Sequence, residues 1–195
     1  MPNQFFAMLS RLKYIQRWAL MRNTQNENLS DHTVQVAFIA HALAVIGNKR
    51  FNKKYNADRV AVLALYHDVT EILIGDMPTP IKYKNEIIRK AYKDVELEAA
   101  QRLLNMLPED LKEDFSSALV GDSCDTELMA LVKAADKISA LIKCIEEKRV
   151  GNLEFRNAEK ENVKLIKKLG CPEADIFVKE FLPAFSLNLD ELTAD

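Results

Sequence analysis

Apolar residues recur along this chain at intervals of three and four, and alternating runs of β-branched residues are nearly absent, so the pattern predicts an all-α fold. Helices are expected at about 4–18, 30–47, 58–74, 85–106, 109–119, 125–147, 153–169 and 172–181. Ser30 is the expected N-cap of the second helix, because a serine hydroxyl accepts from first-turn amides, and Gly47 is its expected end. The third helix carries the most apolar stretch, Val60 to Tyr66, and is expected to run on to Ile74. Gly75 then ends it, and Pro78 and Pro80 bar an immediate restart. A polar segment at 22–28 separates the first two helices, the other connections are short, and the chain reads as a single domain over 1–195.

Length and composition narrow the reading. A chain of 195 residues can bury a continuous core without disulfides, and 48% hydrophobic against 29% charged residues is a globular balance. The net charge of −2, with Lys and Arg interleaved among Asp and Glu, lacks the basic footprint that long nucleic acid requires. A small anion needs only a few local cations. The three cysteines, Cys124, Cys144 and Cys171, form no Cys-x-x-Cys pair, which argues against a disulfide framework and a thiolate zinc site. Reduced thiols, no signal-like N-terminal apolar run and no unbroken apolar run of membrane length predict a cytoplasmic protein with no membrane partner.

The chain has only three histidines, and one opens the pair His67-Asp68 directly after the apolar run. A carboxylate buried there without a partner would cost several kcal/mol, so something should neutralise it, and a cation is one candidate. If the helix continues, Glu71 shares an arc of its surface with His67 and Asp68. His32 falls in the first turn of the second helix, whereas His41, nine residues on, faces roughly the opposite side and reads as a packed or partly exposed helix residue. Asp136 is expected to be at least half buried among Val132, Ala135, Ser139 and Ala140, with Lys133 and Lys137 near enough to pair with it. Taken singly, each group has a structural reading: a core or capping histidine, a hydrogen-bonded His-Asp pair, a lysine-paired aspartate. Two imidazoles and two carboxylates together suit Mn, Fe, Co, Ni or Zn better than Ca or Mg, which prefer oxygen throughout.

That joint pattern resembles the metal-binding signature of the HD-domain phosphohydrolases. The segments Arg17-Trp18, Glu27-Asn28-Leu29-Ser30-Asp31-His32, Tyr66-His67-Asp68-Val69-Thr70-Glu71 and Gly75-Asp76-Met77-Pro78-Thr79-Pro80 narrow the resemblance to bacterial 5′-deoxynucleotidases. It runs over nearly the whole chain, including Phe181 to Leu187. The resemblance implies a compact helical bundle in which His32, His67, Asp68 and Asp136 hold one divalent transition metal such as Co or Mn. It implies hydrolysis of deoxyribonucleoside 5′-monophosphates to deoxyribonucleoside and phosphate. Glu71 is the candidate to orient or deprotonate water and pass a proton to the leaving oxygen, and Arg17 to orient the phosphate. Trp18 would crowd the sugar 2′ carbon. Asp76 would accept from the 3′-hydroxyl, with Met77, Pro78 and Thr79 completing a substrate loop, and His32, Asp68 and Asp136 would also meet substrate.

The plainer alternatives are a solvated Arg17 at a helix end, a packing role for Trp18, a Glu71 that only supports a ligand imidazole, and an ordinary proline-rich turn at 75–80. Other HD enzymes act on triphosphates, cyclic nucleotides or alarmones, but only Lys82 and Lys84 offer extra cations near the loop. A non-catalytic nucleotide-binding module is disfavoured by the intact ligand set and Glu71. The resemblance also implies a homodimer, for which the segment from Phe177 to Leu187 is apolar enough.

Overall fold

The computed structural model describes residues 3–82 and 84–194. Among them every regular element is helical, as the apolar spacing predicts, apart from one antiparallel bridge between Gln16 and Asn28. The helices are α1 (Phe5–Leu9), α2 (Leu29–Arg50), α3 (Ala57–Tyr66), α4 (Glu71–Ile74), α5 (Thr79–Lys82), α6 (Glu86–Leu104), α7 (Lys112–Leu119), α8 (Thr126–Arg149), α9 (Arg156–Leu169), α10 (Pro172–Glu180) and α11 (Leu189–Thr193), with 3₁₀ turns between several of them. The chain divides into two compact units, one made of Met1–Leu20, Asn26–Val34 and Leu65–Thr126, the other of Met21–Gln25, Gln35–Ala64 and Glu127–Asp195.

The first unit is built on Phe5, Leu12, Leu29, Val69, Leu103, Leu104, Leu107 and Leu119. The helix expected over 4–18 stops at Leu9, tightens to a 3₁₀ turn at Ser10–Tyr14, and gives way to an extended segment. There the backbone finds partners across the unit instead of along a helix: Arg17 N–H donates to Glu27 O at 2.9 Å, and Leu29 N–H to Ile15 O at 2.9 Å. Tertiary pairing overrides a weak local helix preference. The same pairing sets the start of α2. The cap is Asn28, not Ser30, since the Asn28 Oδ1 accepts from the amides of Ser30 at 2.9 Å and Asp31 at 3.1 Å.

The helix expected over 58–74 also divides. It ends at Tyr66, a turn occupies 67–70, and α4 restarts at Glu71, because Val69 is drawn into the core at 2% exposure. Gly75, with φ of 77°, ends α4 as expected. Pro78 and Pro80 do not prevent a restart: α5 begins at Thr79, where the missing amide of Pro80 falls in a first turn whose N–H groups have no helical acceptor anyway. Within this unit α4 and α5 both pack on α6, which packs on α7.

The second unit gathers Val36, Ala40 and Leu43 of α2, Val60 of α3, Ile138 and Leu141 of α8, and Phe177 of α10 into one core. The helix α2 is 22 residues long with mean hydropathy of 1.4 over its most apolar window, long and apolar enough to cross a membrane by those two measures, yet 56% of that window is buried inside the protein. Gly47 does not end it. The Tyr55 ring passes so close that a Cβ at Gly47 would lie 2.6 Å from it, and the Asn48 side chain clasps the Tyr55 backbone through bonds of 2.7 and 2.9 Å.

Candidate metal centre

Within the first unit, ligand atoms of His32, His67 and Asp68 lie within 4.8 Å of one another. His32 is held in the first turn of α2, only 1% exposed, its position fixed by the Asn28 cap four residues earlier. His67 Nε2 lies 3.0 Å from Asp68 Oδ2 and His32 Nε2 lies 3.6 Å from the same oxygen, with the imidazole centroids 5.5 Å apart. Consecutive side chains on a regular helix diverge by about 100°, whereas His67 and Asp68 both lie in the turn at 67–70. The turn that breaks α3 from α4 therefore aims both groups at one point.

Glu71 opens α4, its amide bonded to the Asp68 carbonyl at 3.0 Å, and is 5% exposed. Burial, with the nearby charges of Asp68 and Asp76, pushes its carboxyl up to about 9, against the opposing pull of Arg17 and Lys82. Its Oε2 makes no hydrogen bond among the described residues. Asp76 is also raised, chiefly by burial, although Arg17 draws it down. Arg17 Nη1 stands 3.7 Å from Asp68 Oδ2, while Lys82 is engaged by Glu96 at 2.7 Å and by the Tyr92 ring at 4.6 Å. Carboxylates thus outweigh cations here. A divalent transition metal fits on two grounds: the donor set mixes imidazole nitrogen with carboxylate oxygen, and an added cation would oppose the burial and the Asp68 and Asp76 charges that raise the Glu71 carboxyl.

Arg17 is not a solvated residue at a helix end. It lies on the extended segment with its side chain 11% exposed, and its Nε donates to Glu27 Oε2 at 3.1 Å. Trp18 follows with φ of 58°, a left-handed conformation uncommon for a bulky residue, and its indole Nε1 donates to the same Glu27 oxygen at 2.8 Å. Met77 and Pro78 are half-buried in the segment after α4, and Thr79 is exposed at the start of α5. His41 is exposed on α2 and takes no part. Asp136 belongs to the second unit, half-buried along α8, where its Oδ2 accepts from Lys137 Nζ at 2.9 Å. The residue that sequence reasoning gave no role is Glu27. Its only signal was its place immediately before the Asn28 cap, and nothing in the sequence pairs it with residues ten positions earlier.

Residues 4–185 match the family described as 5′-deoxynucleotidase YfbR-like. A 5′-deoxynucleotidase of Yersinia pestis (strain Pestoides F) is 50% identical over 193 residues, 99% of this chain and 98% of its own length. Among solved structures, an HD-domain phosphohydrolase from Listeria innocua superposes with a TM-score of 0.80 at 25% identity, covering 93% of this chain and 88% of its own. A cyanophage S-2L HD phosphohydrolase, bound to dA and one catalytic zinc ion, shares the fold with a TM-score of 0.65 at 16% identity over 91% of this chain and 95% of its own. An all-helical chain with an HD-type cluster, matched over nearly its whole length, belongs to the YfbR-like 5′-deoxynucleotidase family of HD-domain phosphohydrolases.

Proposed function

We propose that residues 1–195 act as one HD-domain enzyme that hydrolyses deoxyribonucleoside 5′-monophosphates to the deoxyribonucleoside and phosphate, with one divalent transition metal on His32, His67 and Asp68. The observation that carries this reading is the convergence of two imidazoles and a carboxylate beside a buried Glu71, whose carboxyl is raised by burial, Asp68 and Asp76 against the pull of Arg17 and Lys82. A cation bound there supplies charge for the phosphate and Lewis acidity for water. The family signature adds Asp136 as the fourth ligand, a role read by metal content in D136N. The cyanophage enzyme's zinc supports a transition ion; cobalt and manganese are our expectation from the mixed donor set.

Glu71 orients the attacking water, takes its proton, and returns a proton to the leaving 5′-oxygen. A carboxyl drawn far above its usual range holds a proton well enough to deliver it, and a bound cation brings it back toward the working range. Arg17, anchored through Nε and with Nη1 3.7 Å from Asp68 Oδ2, orients the phosphate through its guanidinium. Trp18 crowds the 2′ position and so favours deoxyribose. Asp76 accepts from the 3′-hydroxyl, with Met77, Pro78 and Thr79 shaping the loop, and His32, Asp68 and Asp136 border the substrate. With Lys82 held by Glu96 and Tyr92, longer phosphate chains gain little.

A cytoplasmic enzyme accords with three cysteines, none of them in a disulfide. For a homodimer, the segment from Phe177 to Leu187 is a weaker basis than its composition suggests, because Phe177 and Leu182 are spent in the core of their own unit. Phe38, 73% exposed on α2, and Val62 of α3 are the better support. The test of function is phosphate release from paired deoxy- and ribonucleoside monophosphates after chelation and re-addition of Co, Mn, Zn or Mg. Strong metal-dependent release from the deoxy substrate is expected, and equal release from both sugars, or release without metal, would overturn the reading.

A further inference from the structure

The Glu27 carboxylate lies in the first unit with Arg17 and Trp18, and its Oε2 accepts from both side chains, at 3.1 Å from Arg17 Nε and 2.8 Å from Trp18 Nε1. We infer that Glu27 is a positioning residue that sets Arg17 and Trp18 together, so that one carboxylate governs both phosphate orientation and sugar selection. This rests on the roles proposed above for those two residues.

Three features single Glu27 out from an ordinary ion pair. Its side chain is 13% exposed against 11% for Arg17, so solvent screens the pair only in part. The indole N–H is the only polar handle a tryptophan has, and binding it fixes the direction of the ring. Trp18 also sits at φ of 58°, which is unfavourable for a bulky L-residue and persists only where the surroundings enforce it. Glu27 supplies that enforcement twice, through the carboxylate and through its carbonyl, which accepts from the Arg17 amide at 2.9 Å. Glu27 is itself anchored, since the next residue, Asn28, caps α2. One helix start therefore fixes His32 on one side and, through Glu27, the pair Arg17-Trp18 on the other. On the guanidinium, the bond at Nε sets the plane and leaves Nη1, 3.7 Å from Asp68, on the side of the metal ligands.

Trp18 is the only tryptophan, so its emission reports this contact directly. In the full-length, metal-loaded protein, E27A should shift that emission to longer wavelength while far-UV circular dichroism and metal content hold. The ratio of kcat/KM for a deoxy- over the matching ribonucleoside monophosphate should fall about tenfold or more, a loss of about 1.4 kcal/mol in discrimination, with KM for the deoxy substrate rising as Arg17 loosens. A merely structural Glu27 would depress both substrates alike and leave the ratio intact, and that result overturns the inference. Should E27A not fold, E27D keeps the charge but withdraws it by one methylene, and the same two outcomes decide. W18A separates the layers. If W18A abolishes discrimination and the Glu27 variants retain it, only the inference fails; if W18A keeps discrimination, or the unaltered enzyme has none, the sugar role of Trp18 fails and the inference falls with it.

Discussion

Two buried glutamates, one in each unit, show opposite solutions to the same physical problem. Glu147 on α8 is 1% exposed and accepts from the Thr24 amide at 3.0 Å, the Thr24 hydroxyl at 2.7 Å, the Asn152 amide group at 2.7 Å and the Lys143 ammonium. Burial pushes its carboxyl up, but the bonds from Lys143, Asn152 and Thr24 more than offset this and hold it at about 2. Glu71 is 5% exposed, faces Asp68 and Asp76, and stands at about 9. Burial is shared; partners differ. A carboxylate whose lone pairs are filled is a structural staple, while one left among like charges holds free energy that only an added cation or a proton can release.

The sharpest way to test that contrast is to remove each charge in turn. E71Q in metal-saturated protein should lower kcat by about 10²–10⁴, the usual worth of a positioned acid-base group, with metal content unchanged. The metal-free variant should melt higher than the unaltered protein at pH 8, since an unmatched buried carboxyl has been replaced by a neutral amide. E147A should do the reverse, costing about 3–5 kcal/mol by leaving the Lys143 ammonium buried without its carboxylate, beside the Gln25 carbonyl at 2.6 Å and the Phe155 ring. Denaturant unfolding measures that loss, and kcat per folded molecule should stay within about threefold. If E71Q destabilises the metal-free protein, or E147A spares stability, the two residues are not the opposites described here.

The same contrast explains what could be read in the sequence. Spacing of apolar residues located most helices, because burial of a stripe dominates helix formation in a protein. It missed the breaks at Leu9 and Tyr66, where an extended pairing with 27–29 and the pull of Val69 into the core decided the backbone. The site was legible as residue types: His32, His67 and Asp68 converge as expected. The reason given for Glu71 was not, since a turn and a new helix, rather than one continuous arc, set it beside Asp68. Glu27 and the Thr24–Glu147 network were invisible, because contacts between loop residues and distant side chains leave no period in a sequence.

Proton linkage gives the next, smaller effect, with opposite signs for the two carboxyls. For Glu147 the folded value of about 2 lies below the ordinary 4.5, so its stabilisation is complete above pH 4.5 and is lost as pH falls toward 2. For Glu71 in metal-free protein the folded value of about 9 lies above 4.5. The folded state then holds a proton the unfolded chain has released, and stability falls as pH rises between those values, by at most about 1.4 kcal/mol per pH unit. Chemical denaturation from pH 2 to 9 should show both limbs; E147Q should flatten the acid limb and E71Q the alkaline one.

The smallest effect is the most specific, because it links the second limb to the metal. A divalent cation arriving beside Asp68 adds positive charge next to Glu71, which favours the carboxylate and so expels the proton that burial had retained. Near pH 7.5, binding of Co or Mn to chelated protein should therefore release about one proton beyond any from the imidazoles. Titration calorimetry in two buffers of different ionisation enthalpy measures that number directly. E71Q, which retains His32, His67 and Asp68, should bind the ion with a release smaller by the Glu71 proton. Equal proton counts in the two proteins would mean that Glu71 is already ionised before the metal arrives, and the opposition between the two glutamates would reduce to a difference in hydrogen bonding alone.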